Sequence, residues 1–147
     1  MSTLPSRHRS RQRALQILFI WDARSQPVEE AIRAYYENLY SEENETAPTR
    51  DDFTDQLVKG VVDRVKELDE RITKHAEHWR IERMPGVDRN ILRIALLEML
   101  RLGTPPAVAI DEALELARRY SGEESVHFIN GVLDAAWREH TNEAKTV

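Results

Sequence analysis

Arg9, Gln12, Gln16 and Phe19 recur at i, i+3, i+7 and i+10, the spacing of one face of an α-helix. A guanidinium, two amides and an aromatic ring on one strip can recognise single-stranded RNA. Arginine neutralises phosphate, amides pair with base edges, and a ring stacks on an unpaired base for ~1–3 kcal/mol. The same periodicity puts Ala14, Ile17, Leu18 and Trp21 on the opposite side as a core stripe. Two arrangements satisfy the pattern. Either Phe19 faces solvent among the polar groups, or it packs against another helical layer and the glutamines are ordinary helix formers. Spacing alone leaves both open.

Charge adds to the first arrangement. The net charge of −5 disfavours an anionic partner on average, but residues 1–24 carry Arg7, Arg9, Arg11, Arg13 and Arg24 against Asp22 alone. Residues 29–52 carry eight carboxylates against Arg33 and Arg50. A basic N-terminal arm beside an acidic remainder suits an anionic partner for the arm and solubility elsewhere.

Other chemistries find little support. The chain has no cysteine, which excludes disulfides, a thiolate nucleophile and Cys-ligated zinc. His75 and His78 lie three apart, but no third ligand stands at zinc spacing, so they read as surface histidines with no metal site. The sequence shows no GxSxG elbow, P-loop or GxGxxG, and its carboxylates suit caps and pairs such as Glu67 with Arg71. No catalytic residue and no cofactor is expected. No apolar run approaches the ~18 residues of a membrane span, and the N-terminus lacks a signal-peptide core, so a cytoplasmic protein is expected.

The elements that position the strip are helical. At 147 residues the chain fits one domain. After the first helix, Val28, Ile32, Tyr35 and Leu39 mark a second. Thr49 and Asp52 resemble a capping box for the next segment, where Leu57, Val61, Leu68, Ile72 and Trp79 line one side. That segment is one helix or two with a break near Leu68. Pro85-Gly86 is a stop, Asp88 a candidate cap, and Ile91, Leu92, Ala95, Leu96 and Met99 the next core stripe, ended by Gly103 and Pro105. Val108 to Tyr120 forms a further helix. Ser125 can cap the last, with Ile129, Val132, Leu133 and Ala136 inside. The expected fold is all-α, with six or seven helices, an N-terminal layer over about 7–84 and a C-terminal layer over about 87–140. Phe128 sits on the flank of the last stripe, where it can complete the core or present a second ring. Gly131, costly inside a helix, suggests close approach of another backbone.

The segments RQRALQILFIWD (11–22), FTDQLVKGV (53–61), VDRNILRIALLEML (87–100), PAVAIDEALELARRY (106–120) and FINGVLDAAWRE (128–139) together resemble the NusB family over nearly the whole chain. The resemblance implies an all-α fold of two packed three-helix bundles. It also implies binding to the boxA element of leader RNA, pairing with the ribosomal protein NusE, and entry into the antitermination complex on elongating RNA polymerase. By that likeness Arg7, His8, Arg9, Arg11 and Arg13 correspond to the family's basic arm, and Gln16, Phe19 and Phe128 to RNA-contacting positions. Glu124 corresponds to an acidic position that tempers RNA affinity, and Glu82 and Asp88 to the face that meets NusE. A NusB-like domain ahead of a ribosomal-RNA cytosine methyltransferase is the enzymatic alternative, disfavoured because the chain stops soon after its last helix. A scaffold with an idle arm is a third reading. A homodimer covering the arm is compatible with the sequence but not demanded by it.

Overall fold

The computed structural model describes residues 6–42, 49–77 and 79–145. The Leu39 side chain, most of the acidic loop 42–49 and His78 lie outside the described residues. Among the described residues there are seven α-helices, one 3-10 turn and no strand. The helices are α1 (Arg7–Arg24), α2 (Val28–Glu42), α3 (Asp52–Asp63), α4 (Val65–His75), α5 (Gly86–Arg101), α6 (Pro106–Tyr120) and α7 (Glu123–Lys145), with the 3-10 turn at Ile81–Arg83.

Helix α1 starts at Ser6, whose Oγ accepts the Arg9 N–H, and ends at Ser25, the left-handed residue at φ 52°. Ala14, Ile17 and Leu18 are fully buried and Trp21 is half-buried. The expected single stripe is nevertheless too narrow, because α2, α3 and α5 all pack on α1. Ser10, Arg11, Gln12 and Leu15 are buried as well.

The cap of α3 is Asp51, not the Thr49–Asp52 pair. The Asp51 Oδ2 accepts the Thr54 N–H at 2.9 Å and the Ser10 hydroxyl at 2.6 Å, which ties the start of α3 to α1. Burial alone would raise the Asp51 pKa, but the Ser10 and Thr54 hydrogen bonds and the Arg13 charge outweigh it and hold the pKa below its ordinary value. A depressed carboxylate stabilises the fold above its unfolded pKa and loses that contribution as pH falls through the folded value. The stability gap between the wild type and Asp51→Asn should therefore be full at neutral pH and shrink as urea titrations move below about pH 4.

The long third segment is two helices, and the break is at Arg64, four residues before Leu68. It lets α3 pack on α1 while α4 turns to α5 and α7. Leu57, Val61, Leu68 and Ile72 are fully buried as expected. Trp79 is not; it follows α4, 51% exposed. The expected division into layers also shifts, since α4 sits with the C-terminal helices. Arg71 and Lys74 of α4 reach Glu139 of α7 at 3.5 and 2.7 Å, while Glu67 pairs with Arg101 at 2.6 Å rather than with Arg71.

Helix α5 is the hub, contacting α1, α3, α4, α6 and α7. Its residues from Asn90 to Met99 are all buried, so its core stripe has become a whole circumference. Its buried polar groups are paired. Glu98 accepts both Nε and Nη2 of Arg11, at 2.8 and 2.7 Å. Asp22 of α1 accepts Arg89 at 2.7 Å, Asn90 at 3.1 Å and Arg93 at 3.2 Å, and Arg93 grips Asp69 of α4 at 2.7 and 2.8 Å. Gly103 takes φ 73° and ends the α5 segment as expected. Asp88 and Ser125 are not caps: Asp88 accepts the Ser121 and Ser125 hydroxyls at 2.8 and 2.7 Å, joining α5 to the α6–α7 turn. Helix α6 begins at Pro106, two residues before Val108. In α7, Ile129, Val132, Leu133 and Ala136 are buried as expected.

Two glycines behave oppositely. A Cβ on Gly60 would stand 2.7 Å from Leu97 Cδ2, so this glycine is where α3 and α5 approach closely. Nothing lies within 4 Å of a Cβ on Gly131, which is exposed, so the expected backbone approach is absent there. Gly131→Ala should stabilise the protein by about 0.5–1 kcal/mol through helix propensity alone. Gly60→Ala should destabilise it by about 1–3 kcal/mol by overpacking. Thermal melts of the two variants on opposite sides of the wild type would check both.

Candidate nucleic-acid interface

The first turns of α1 divide the basic residues into those that serve the fold and those left outside. Arg7 lies over the Phe53 ring at 4.3 Å and stays exposed. The His8 Nδ1 is 2.7 Å from Glu112 of α6. Arg9 is exposed, with no ion pair among the described residues. Arg11, expected in the arm, is 4% exposed and bound to Glu98, so its guanidinium is a strut of the core and not a phosphate contact. Burial works against its charge, but the Glu98 hydrogen bond and charge, helped by Glu112, outweigh that and raise its pKa. Arg13 bonds the Asp51 carboxylate and the Thr49 carbonyl, both at 3.2 Å.

The strip itself is split the same way. Gln12 is covered, 7% exposed, with its amide 3.3 Å from the His8 ring. Gln16 is half-buried and donates to the Tyr120 Oη at 3.3 Å. Phe19 combines the two arrangements that spacing left open. One edge packs on Gly86, where a Cβ would meet its ring at 3.2 Å, and 45% of the residue remains accessible. Asp22, one turn on, holds this end of α1 against α5 and so fixes where the ring sits.

Helix α6 supplies a second wall that sequence reading missed. Arg118 and Arg119 are exposed, Arg119 lies 5.4 Å from the Tyr120 ring, and a cleft of about 400 Å³ runs between them and His8, Gln12 and Glu115. The signal was the ARRY run closing that helix, but cations in a last turn are equally what a helix dipole favours. Tyr35 of α2 lies within electrostatic reach of Arg13, Arg9 and Tyr120: burial raises its hydroxyl pKa, while Arg13 and Arg9 act against that rise.

Phe128 is half-buried and faces Trp79 with ring centroids 6.4 Å apart at 60°. The two rings, with Met84 and Pro85, wall a cavity of about 250 Å³, and Glu124, exposed on the first turn of α7, also lines it. Gly86 carries the Phe19 ring and directly follows Pro85, so the Phe19 surface adjoins this cavity. Trp79 had been assigned to the core, which hid its place here.

The two residues expected at a protein partner are not brought together. Glu82 is exposed on the 3-10 turn and lines a groove with Lys66, Glu70 and Lys74. Asp88 is 4% exposed, its carboxylate held by Ser121 and Ser125, which makes it a positioning residue for the α6–α7 turn and not a contact surface.

Fold and surface together define an all-α protein that exposes Arg9 and Phe19 of α1 and Arg118 and Arg119 of α6, with Trp79 and Phe128 walling a cavity at the start of α7. No helix among the described residues is long and apolar enough to cross a membrane. The chain belongs to the NusB family, whose sequence profile matches residues 8–138. It is similar to the transcription antitermination protein NusB of Solibacter usitatus, 67% identical over 136 residues that cover 92% of this chain and 91% of the relative. Among solved structures it is similar to T. maritima NusB, with TM-score 0.76 and 29% identity over 93% of this chain and 94% of the other. It is also similar to a chain in a structure of antitermination factors NusB and NusE in complex with dsRNA, with TM-score 0.76 and 27% identity over 92% and 99% of the two chains.

Proposed function

We propose that this chain is a non-catalytic, cytoplasmic RNA-binding antitermination factor. It binds the boxA element of ribosomal leader RNA together with NusE, and the assembly joins elongating RNA polymerase. The observation that carries the RNA reading is Phe19, a phenylalanine held 45% exposed beside Gly86 within an arginine-bearing strip. An ion-pair surface alone would bind any polyanion, whereas accessible rings reward unpaired bases. Phe19 is the first platform, the Trp79–Phe128 cavity the second, and Arg7, Arg9, Arg118 and Arg119 supply charge along the path. The solved complex of NusB and NusE with RNA supports the pairing with NusE.

The charge count sets the salt dependence. Four exposed arginines, each neutralising one phosphate, give a slope of log K against log salt of about −3 for single strands. Replacing Arg118 and Arg119 by alanine should flatten that slope by about 1.4. Anisotropy titrations of labelled boxA RNA between low and moderate salt would measure both slopes. The same assay tests the function: boxA should bind more tightly than a scrambled strand or a boxA duplex, and tighter still with NusE present. Equal affinity for all three RNAs, with NusE present, would remove the reading.

A further inference from the structure

Beside the strip, His8 of α1 meets Glu112 and Glu115 of α6. The His8 Nδ1 lies 2.7 Å from Glu112 Oε2 and 3.7 Å from Glu115 Oε2, and the three donor atoms all lie within 4.8 Å of one another. Zinc held tetrahedrally by nitrogen and oxygen at about 2.1 Å needs neighbouring donors about 3.4 Å apart, a spacing these distances bracket. We infer that His8, Glu112 and Glu115 form a site for a divalent transition-metal ion, Zn²⁺ above all, that clamps α1 to α6.

Three features support the assignment beyond proximity. The donors are mixed, one imidazole and two carboxylates, which selects a borderline ion over Mg²⁺ or Ca²⁺, whose sites are built from oxygen. Glu112 and Glu115 are one helical turn apart on α6, so a single helix face presents both. The other ring nitrogen of His8 lies 3.3 Å from the Gln12 side-chain amide, and Gln12 is itself covered. With Nδ1 on a metal, Nε2 carries the ring proton, so the Gln12 amide, whose Nε2 now faces the ring, would turn over to present Oε1 as the acceptor, the usual second support of a ligand histidine. The nearest cation is Arg11, 3.7 Å from the other Glu112 oxygen, and its short bonds go to Glu98. The cleft bounded by His8 and Glu115 leaves one side open for water as the fourth ligand. Sequence spacing could not reveal the site, because its histidine lies 104 residues from Glu112 in the chain.

The test uses the full chain without RNA, so that it stands apart from the RNA reading. Isothermal titration with ZnCl₂ should show one saturable site per chain, and MgCl₂ should not reproduce it. CoCl₂ should give the intense visible absorption of a tetrahedral ion. Glu115→Gln, whose side chain is 60% exposed, should fold normally and weaken Zn²⁺ binding by at least about tenfold, as should His8→Gln. At about a hundredfold excess of Zn²⁺ over Kd, the melting temperature should rise by about 5–10 °C in the wild type and not in Glu115→Gln. No saturable binding would overturn the assignment. So would binding unchanged in both variants but lost in His75→Gln, which would place the ion beside Glu139 instead.

Discussion

Arg11→Ala is expected to lower stability by about 3–5 kcal/mol, the largest effect of any single change considered for this chain. Arg11 and Glu98 are 4% and 1% exposed, so removing the guanidinium leaves a buried carboxylate whose only other side-chain partner among the described residues is the Thr104 hydroxyl, at 3.0 Å. At about 2–4 °C per kcal/mol for a domain of this size, the melting temperature should fall by roughly 6–20 °C. Replacing both partners by methionine should cost far less, because neither charge is then left unpaired. Calorimetric melts of the single and double variants measure the difference. A single variant that loses less than about 1 kcal/mol would mean the pair is solvated and not a strut.

Phe19→Ala should weaken RNA binding by ~1–3 kcal/mol, a loss on the order of 5–150-fold, while leaving helical content unchanged. The residue is 45% exposed and lies outside the buried core, so removing its ring opens no large core cavity. Phe19→Tyr should keep most of the affinity, because the stacking surface is retained. Anisotropy titrations of the two variants beside the wild type separate stacking from any effect on folding. Equal affinity of Phe19→Ala and wild type would leave the strip with charge alone.

The helical layout was legible because apolar periodicity survives wherever a helix buries one side, as with Ile129, Val132, Leu133 and Ala136. It misled where a helix is buried on several sides. Helix α1 packs on α2, α3 and α5, so Gln12, placed by spacing on the outward strip, and Arg11, counted with the basic arm, are both covered. Caps were misread for a related reason. Asp88 and Ser125 stood at plausible cap positions, but each can also satisfy a partner distant in the chain, and they satisfy one another. The Phe19 position was legible, since nothing but solvent or a second layer could face a ring placed opposite the Leu18 stripe. Trp79, Arg118, Arg119 and Tyr120 were not. Their contribution depends on how α4, α6 and α7 turn toward α1, a tertiary fact carried by no local pattern.

The central claim is that RNA runs across the α1–α6 face and over Phe19 toward Phe128. Titrating isotope-labelled protein with single-stranded boxA RNA, and following both amide and aromatic NMR resonances, addresses it most directly. The account predicts shifts concentrated at Arg9, Gln16, Phe19, Tyr120, Trp79 and Phe128. Resonances that stay still at Phe19 and Tyr120, while the α4–α7 side around Lys74 and Glu139 moves, would contradict it.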